Sequence, residues 1–71
     1  MNLTKIKLNC PCCGNFTLDE IGVYEVCPLC CWEDDPIQSQ DVEFAGGANK
    51  VSLKKARANW INNQRNGVNL N

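Results

Sequence analysis

Cys10-Pro11-Cys12-Cys13-Gly14 and Cys27-Pro28-Leu29-Cys30-Cys31 decide how this chain folds. Each stretch holds Cys-Pro-x-Cys, and 13 residues (14–26) separate Cys13 from Cys27. That spacing is the signature of a tetrahedral site in which Cys10, Cys13, Cys27 and Cys30 hold one zinc ion from two turns. Two residues between cysteines let one tight turn aim both sulfurs at a single point. Proline after the first cysteine fixes φ and brings no N–H. The remaining backbone N–H groups of the turn then point at the thiolates and stabilise their charge. Gly14 supplies the positive φ that ends the first turn. Cys31 stands where the second turn would want that glycine, so the second turn is expected to be less standard.

The competing use of six cysteines is a disulfide framework, with 15 connectivities available. Met1 to Asn9 carries two lysines and no long apolar run, so it does not read as a secretory leader. The expectation is therefore a cytoplasmic chain with reduced thiols, which favours metal. No segment is long and apolar enough to span a membrane. The chain of 71 residues reads as one domain over 1–71, with its core at about 5–65 and a frayed tail at 66–71. A core this small rarely supplies more than about 3–5 kcal/mol. A structural zinc ion contributes roughly 10–16 kcal/mol of apparent binding energy, which becomes folding energy.

Outward from the turns, Lys5 to Asn9 alternates, with Ile6 and Leu8 inward, and predicts a strand feeding the first turn. Asn15 to Leu18 alternates with Phe16 and Leu18 on one face, Asp19 to Gly22 reads as a turn, and Val23 to Val26 as a strand with Tyr24 and Val26 on one face. The segment between the metal turns is thus expected to be a hairpin that the first strand joins. From Trp32 to Asn49 no period appears. Trp32, Ile37, Val42 and Phe44 predict an ordered acidic wrap pinned to the body. Ser52 to Arg65 reads as the one helix, with Ser52 as N-cap, Leu53, Ala56, Trp60 and Ile61 on one face, and Gly67 as its stop. The fold class is a small metal-stabilised α+β domain. It has a two-knuckle site of the zinc-ribbon or rubredoxin type, a short antiparallel sheet and one C-terminal helix.

Charge is divided along the chain. The net is −1, yet residues 8–49 hold eight acids and no base, and residues 50–71 hold five bases and no acid. Catalysis finds little support. There is no histidine, the commonest general base, and a four-thiolate site leaves no open position for water. Nucleic-acid binding, the habitual role of zinc ribbons, needs a basic footprint that only Lys50, Lys54, Lys55, Arg57 and Arg65 supply, so it is disfavoured. Cys12 and Cys31 are left over. They read either as small packed hydrophobes or as redox-active thiols beside the site. Trp32, Glu33, Asp34 and Asp35 read either as a cover for the metal turns with solvated acids, or as an aromatic anchor in an acidic rim for a basic partner. Mg²⁺ or Ca²⁺ at Asp34 and Asp35 is a weaker option, because ligands at regular loop spacing are missing.

Several motifs in order, Cys10-Pro11-Cys12-Cys13-Gly14, Leu18-Asp19-Glu20, Tyr24-Glu25-Val26-Cys27-Pro28, Cys31-Trp32-Glu33-Asp34-Asp35, Gly46-Gly47-Ala48-Asn49, and Ser52-Leu53 with Ala56-Arg57, resemble the cysteine-rich CPCC family. The resemblance covers about Cys10 to Trp60. It implies a zinc-ribbon-like domain followed by a helix, and no reaction. The resulting functional expectation is a non-enzymatic, structural-zinc protein that binds another protein. One form of it is an immunity protein that neutralises a basic toxin domain. The rival is a thiol redox or metal-handling protein that uses Cys12 and Cys31.

Overall fold

The computed structural model describes residues 6–65. Two short strands, β1 (Leu8–Asn9) and β2 (Phe16–Leu18), pair antiparallel with Leu8 opposite Leu18 and Asn9 opposite Phe16. A five-residue helix α1 (Pro36–Gln40) and the long helix α2 (Leu53–Arg65) follow. The expected class is therefore present: a two-stranded antiparallel sheet, a C-terminal helix and a cysteine cluster. The expected stop at Gly67, the tail at 66–71 and the start of the first strand at Lys5 lie outside the described residues.

The strand pairing differs from the sequence expectation. β1 and β2 flank the first cysteine turn, and an isolated bridge between Val26 and Glu33 flanks the second. Each metal turn is thus the tip of its own small hairpin. Val23 to Val26 forms no strand because Tyr24 has φ 65°, a left-handed conformation that breaks an extended run. Ile6 and Leu8, expected inward, and Phe16, expected on the same face as Leu18, are exposed, Ile6 by 82%. A two-residue strand with an irregularity between Leu8 and Asn9 is too short to hold an alternating face against the body. Only Leu18 of this sheet is fully buried.

The buried centre consists of Cys10, Cys12, Leu18, Cys27, Trp32 and Leu53, with Val42, Ala56 and Trp60 packed against it. Complete burial of Leu18 and of Leu53 contributes about 1.5–3 kcal/mol each. Leu53, Ala56 and Trp60 take the inner face of α2 as the period requires, while Ile61 is 52% exposed. Ser52 caps the helix, its hydroxyl accepting from the Lys55 N–H at 3.1 Å. Arg57 Nε donates to the Pro11 carbonyl at 2.9 Å and ties α2 to the first cysteine turn.

The acidic wrap is held by polar contacts, where apolar ones were expected. Ile37 and Phe44 are exposed, and only Trp32 and Val42 pack inward. The anchor is Gln38, fully buried on α1. Its Nε2 lies 3.0–3.1 Å from the carbonyls of Phe44, Asn49 and Val51, and its Oε1 accepts from the Asn49 backbone and side chain. Asn49 in turn pairs with the Glu33 backbone, its Oδ1 accepting at 3.0 Å and its Nδ2 donating at 2.8 Å. α1 exists because Asp35 caps it, accepting from the N–H groups of Ile37 and Gln38, and Pro36 opens it.

Two glycine-class positions give predictions of opposite sign. A Cβ on Gly47 would sit 2.5 Å from Asp35 Oδ2 and 3.0 Å from Gln38 Cγ and Cδ, all fixed by hydrogen bonds. Gly47→Ala is expected to destabilise by about 1–3 kcal/mol. Cys31 has φ 67°. Cys31→Gly removes a left-handed penalty of roughly 1–2 kcal/mol, partly offset by the greater chain entropy of glycine, about 0.5–1 kcal/mol. Denaturant midpoints of the metal-loaded variants should fall for the first and hold or rise for the second.

Candidate metal centre

The two cysteine turns are built alike. Cys10 N–H donates to the Asn15 carbonyl and Gly14 N–H to the Cys10 carbonyl, both at 2.8 Å. In the second turn Cys27 N–H donates to the Trp32 carbonyl and Cys31 N–H to the Cys27 carbonyl, both at 2.9 Å. Gly14 and Cys31 both adopt positive φ, 79° and 67°. The second turn therefore follows the first, with Cys31 forced into the conformation that glycine takes without strain.

These turns bring Cys10, Cys13, Cys27 and Cys30 together, with all four sulfurs within 4.8 Å of one another. Cys10 Sγ lies 3.5 Å from Cys30 Sγ, and Cys13 Sγ 3.8 Å from Cys27 Sγ. Metal–sulfur bonds of about 2.3 Å in a tetrahedron place neighbouring sulfurs about 3.8 Å apart. The donor set thus fits a tetrahedral thiophilic ion. All six cysteines are free thiols, so the disulfide framework is not what this structure uses.

The electrostatics of the cluster favour a cation. Burial pushes the Cys10 thiol up to about 11, against the pull of the Cys13 and Cys12 N–H groups. Burial also raises Cys30, reinforced by the sulfurs of Cys10 and Cys27. Several thiolates in one place repel each other unless a positive ion stands between them. Cys27 moves the other way. Burial raises it, but the Thr17 hydroxyl and the N–H groups of Cys30 and Leu29 outweigh that and bring it to about 6. Thr17 Oγ1 stands 3.1 Å from Cys27 Sγ, and Leu29 N 3.4 Å.

A model of the cysteine-rich CPCC family matches residues 8–66. The chain belongs to that family. A comparison with curated proteins finds no match. Among the described residues no helix is long and apolar enough to cross a membrane.

The other sequence candidates fall into two groups. Cys12 is buried beside the four sulfurs and Cys31 is exposed, and both stand outside the four-sulfur group. The expected aromatic anchor with an acidic rim is corrected. Trp32 is 3% exposed, Asp34 0% and Asp35 5%, and only Glu33 of that stretch is half-buried. Asp34 and Asp35 face inward because their oxygens satisfy backbone donors. Asp34 accepts from the Gly22 N–H at 2.6 Å and the Ser39 hydroxyl at 3.2 Å. Asp35 accepts from Ile37, Gln38 and Ala48, bonds that hold its carboxyl below the usual range. Oxygens so occupied are not a Mg²⁺ or Ca²⁺ site.

Thr17, which sequence reasoning passed over, is the residue whose removal tests the centre most gently. A thiol lowered from 9.0 to about 6 contributes stability that is full above pH 9.0 and lost as pH falls through about 6. Thr17→Val deletes the hydroxyl donor and raises the Cys27 thiol. Loss of such an outer donor typically costs about 10–100-fold in metal affinity. Metal release on acid titration, followed with a chromogenic chelator, should begin at higher pH in Thr17→Val than in the wild type.

Proposed function

We propose that the four cysteines hold one structural zinc ion, and that the domain so stabilised is a cytoplasmic protein-interaction module with no catalytic role. The observation that carries this reading is the sulfur spacing of 3.5 and 3.8 Å within one closed group. Tetrahedral four-sulfur geometry selects zinc or iron among common ions. Four protein ligands fill the coordination sphere, so the ion would organise the fold and present no open position to a substrate.

Support for a protein partner comes from the surface. Phe16, Leu29, Val26, Val23 and Ile21 are each at least half exposed. With Asp34 and Asp35 turned inward, the electronegative character rests on the exposed Glu20, Asp41 and Glu43. Four thiolates around a divalent zinc add about two negative charges. A basic partner protein suits this balance, and a toxin domain neutralised by an immunity protein is the specific form proposed.

Native mass spectrometry is expected to show one zinc per chain. Serine in place of Cys10, Cys13, Cys27 or Cys30, or strong chelation, should abolish the folded far-UV circular dichroism, because roughly 10–16 kcal/mol of folding energy goes with the ion. Cys12→Ser and Cys31→Ser should keep their zinc. Retained structure after chelation would refute the structural role. In-cell crosslinking should recover a recurrent basic protein, and the double variant Glu20→Lys, Glu43→Lys should lose it. Recovery indifferent to these reversals removes the charge argument.

A further inference from the structure

A cavity of about 210 Å³ opens between the second cysteine turn and α2. Trp32 and Trp60 give it two aromatic walls, and Ala56 leaves room where α2 approaches the turn. Asn59 and Asn63, one helical turn apart on α2, line it as well. No charged side chain lines it. Asn59 and Asn63 are exposed, and their side chains make no hydrogen bond among the described residues. Trp32 is 3% exposed, yet its Nε1–H is the one buried side-chain polar group without a partner among the described residues.

We propose that this cavity binds a small uncharged nitrogen heteroaromatic molecule, whose ring nitrogen supplies the acceptor that Trp32 Nε1 lacks and whose polar edge meets Asn59 and Asn63. Size sets the first limit. An apolar cavity of about 150 Å³ takes benzene, so this one takes a substituted ring or two fused rings. Drug-sized ligands need roughly 300 Å³ or more and are too large. The space equals about seven waters by their share of liquid volume. Indole walls order such water poorly, and its displacement by a flat apolar ring favours binding.

Charge and hydrogen bonding set the rest. A charged ligand would give up its water with no opposite charge in the wall to replace it. The Trp32 N–H exposes less than 1 Å², so bulk water does not satisfy it, and a buried donor left unpaired is destabilising. Its acceptor has to arrive on a group that packs against the indole itself, as a flat ring does. A hydrocarbon ring brings no acceptor. The phenylalanine or tryptophan side chain of a partner protein brings none either, since indole only donates. A ring nitrogen does, and the amides of Asn59 and Asn63 both donate and accept, so they pair with whatever the ring carries on its edge. The inference goes beyond the interaction reading and does not depend on which ion the cysteines hold.

The test titrates the metal-loaded full chain with pyridine and benzimidazole at neutral pH, where both are uncharged, and follows the two indole N–H signals by nuclear magnetic resonance. Benzene, the same ring without the nitrogen, and the ions benzoate and N-methylpyridinium are the comparison probes. Saturable shifts of the Trp32 and Trp60 signals are expected, with the Trp32 N–H moving downfield. Pyridine should bind about fivefold more tightly than benzene, the worth of one net hydrogen bond, and neither ion should saturate the signals. Ala56→Leu fills the cavity and should abolish the shifts with metal content unchanged. Asn59→Leu, at an exposed position, should weaken benzimidazole about threefold or more and leave benzene as it was. Absence of any saturable indole shift overturns the inference, as does equal affinity for benzene or binding of the ions. If Ala56→Leu loses its metal, Asn59→Leu decides, and unchanged benzimidazole affinity there overturns the inference.

Discussion

Convergence of four sulfurs on one point is the constraint on which the rest of this structure depends. Backbone hydrogen bonds fix the shape of each turn, from Cys10 to Asn15 and from Cys27 to Trp32. The two turns meet at the four-sulfur group, which is placed to hold one metal ion. The buried centre is correspondingly rich in sulfur, with Cys10, Cys12 and Cys27 beside only Leu18, Trp32 and Leu53. Apolar side chains that a larger domain would bury remain outside, since the thinnest dimension of the fold is only 13 Å.

Polar groups take over part of the work that an apolar core does elsewhere. Gln38 and Asn49 act as extra backbone. One satisfies three loop carbonyls and the other pairs with Glu33 as a neighbouring strand would. Asp34 and Asp35 do the same for N–H groups at Gly22 and Ala48. Burying such groups stabilises only when nearly every donor and acceptor is matched. This network is nearly complete. The one buried side-chain polar atom without a partner among the described residues is Trp32 Nε1, at the metal side of the loop. The close approach at Gly47 follows from the same network, because a carboxylate and an amide occupy the space that a side chain would need.

The sequence made the metal centre and α2 legible because each rests on local chemistry. Cys-Pro-x-Cys spacing, a serine cap and a period of 3.6 residues are written over short distances. What escaped was long-range and polar. Hydropathy cannot distinguish an acid in solvent from Asp34 aimed at Gly22, so the loop read as an acidic rim when two of its carboxylates are internal. Gln38 carried no signal at all, although Asp35-Pro36 is a helix start that a search for caps would have found. The hairpin was misplaced for a related reason. Alternation marks which residues suit a strand and does not say which strand they meet, and the left-handed Tyr24 is not foreseeable from a tyrosine codon. Cys31 shows the converse. A residue that looked like a departure from the turn pattern occupies the turn unchanged, with strain in place of sequence agreement.

That strain bears on how the cysteines divide their tasks. A turn of this kind needs a left-handed residue after its second ligand, and glycine fills the position in the first turn at no steric cost. Cysteine in the second turn takes a left-handed conformation that costs a non-glycine residue roughly 1–2 kcal/mol, and it adds no ligand to the four-sulfur group. Cys12 is likewise dispensable for ligation, since the equivalent place in the second turn is Leu29, an exposed aliphatic residue. Neither extra thiol is thus explained by the geometry of the site. Both line one cavity together with Cys30, on the side where α2 leaves a ligand sulfur open to solvent. Cys12 is buried in the centre of the fold, where a thiol packs as a small hydrophobe, whereas the exposed Cys31 adds neither a ligand nor buried surface.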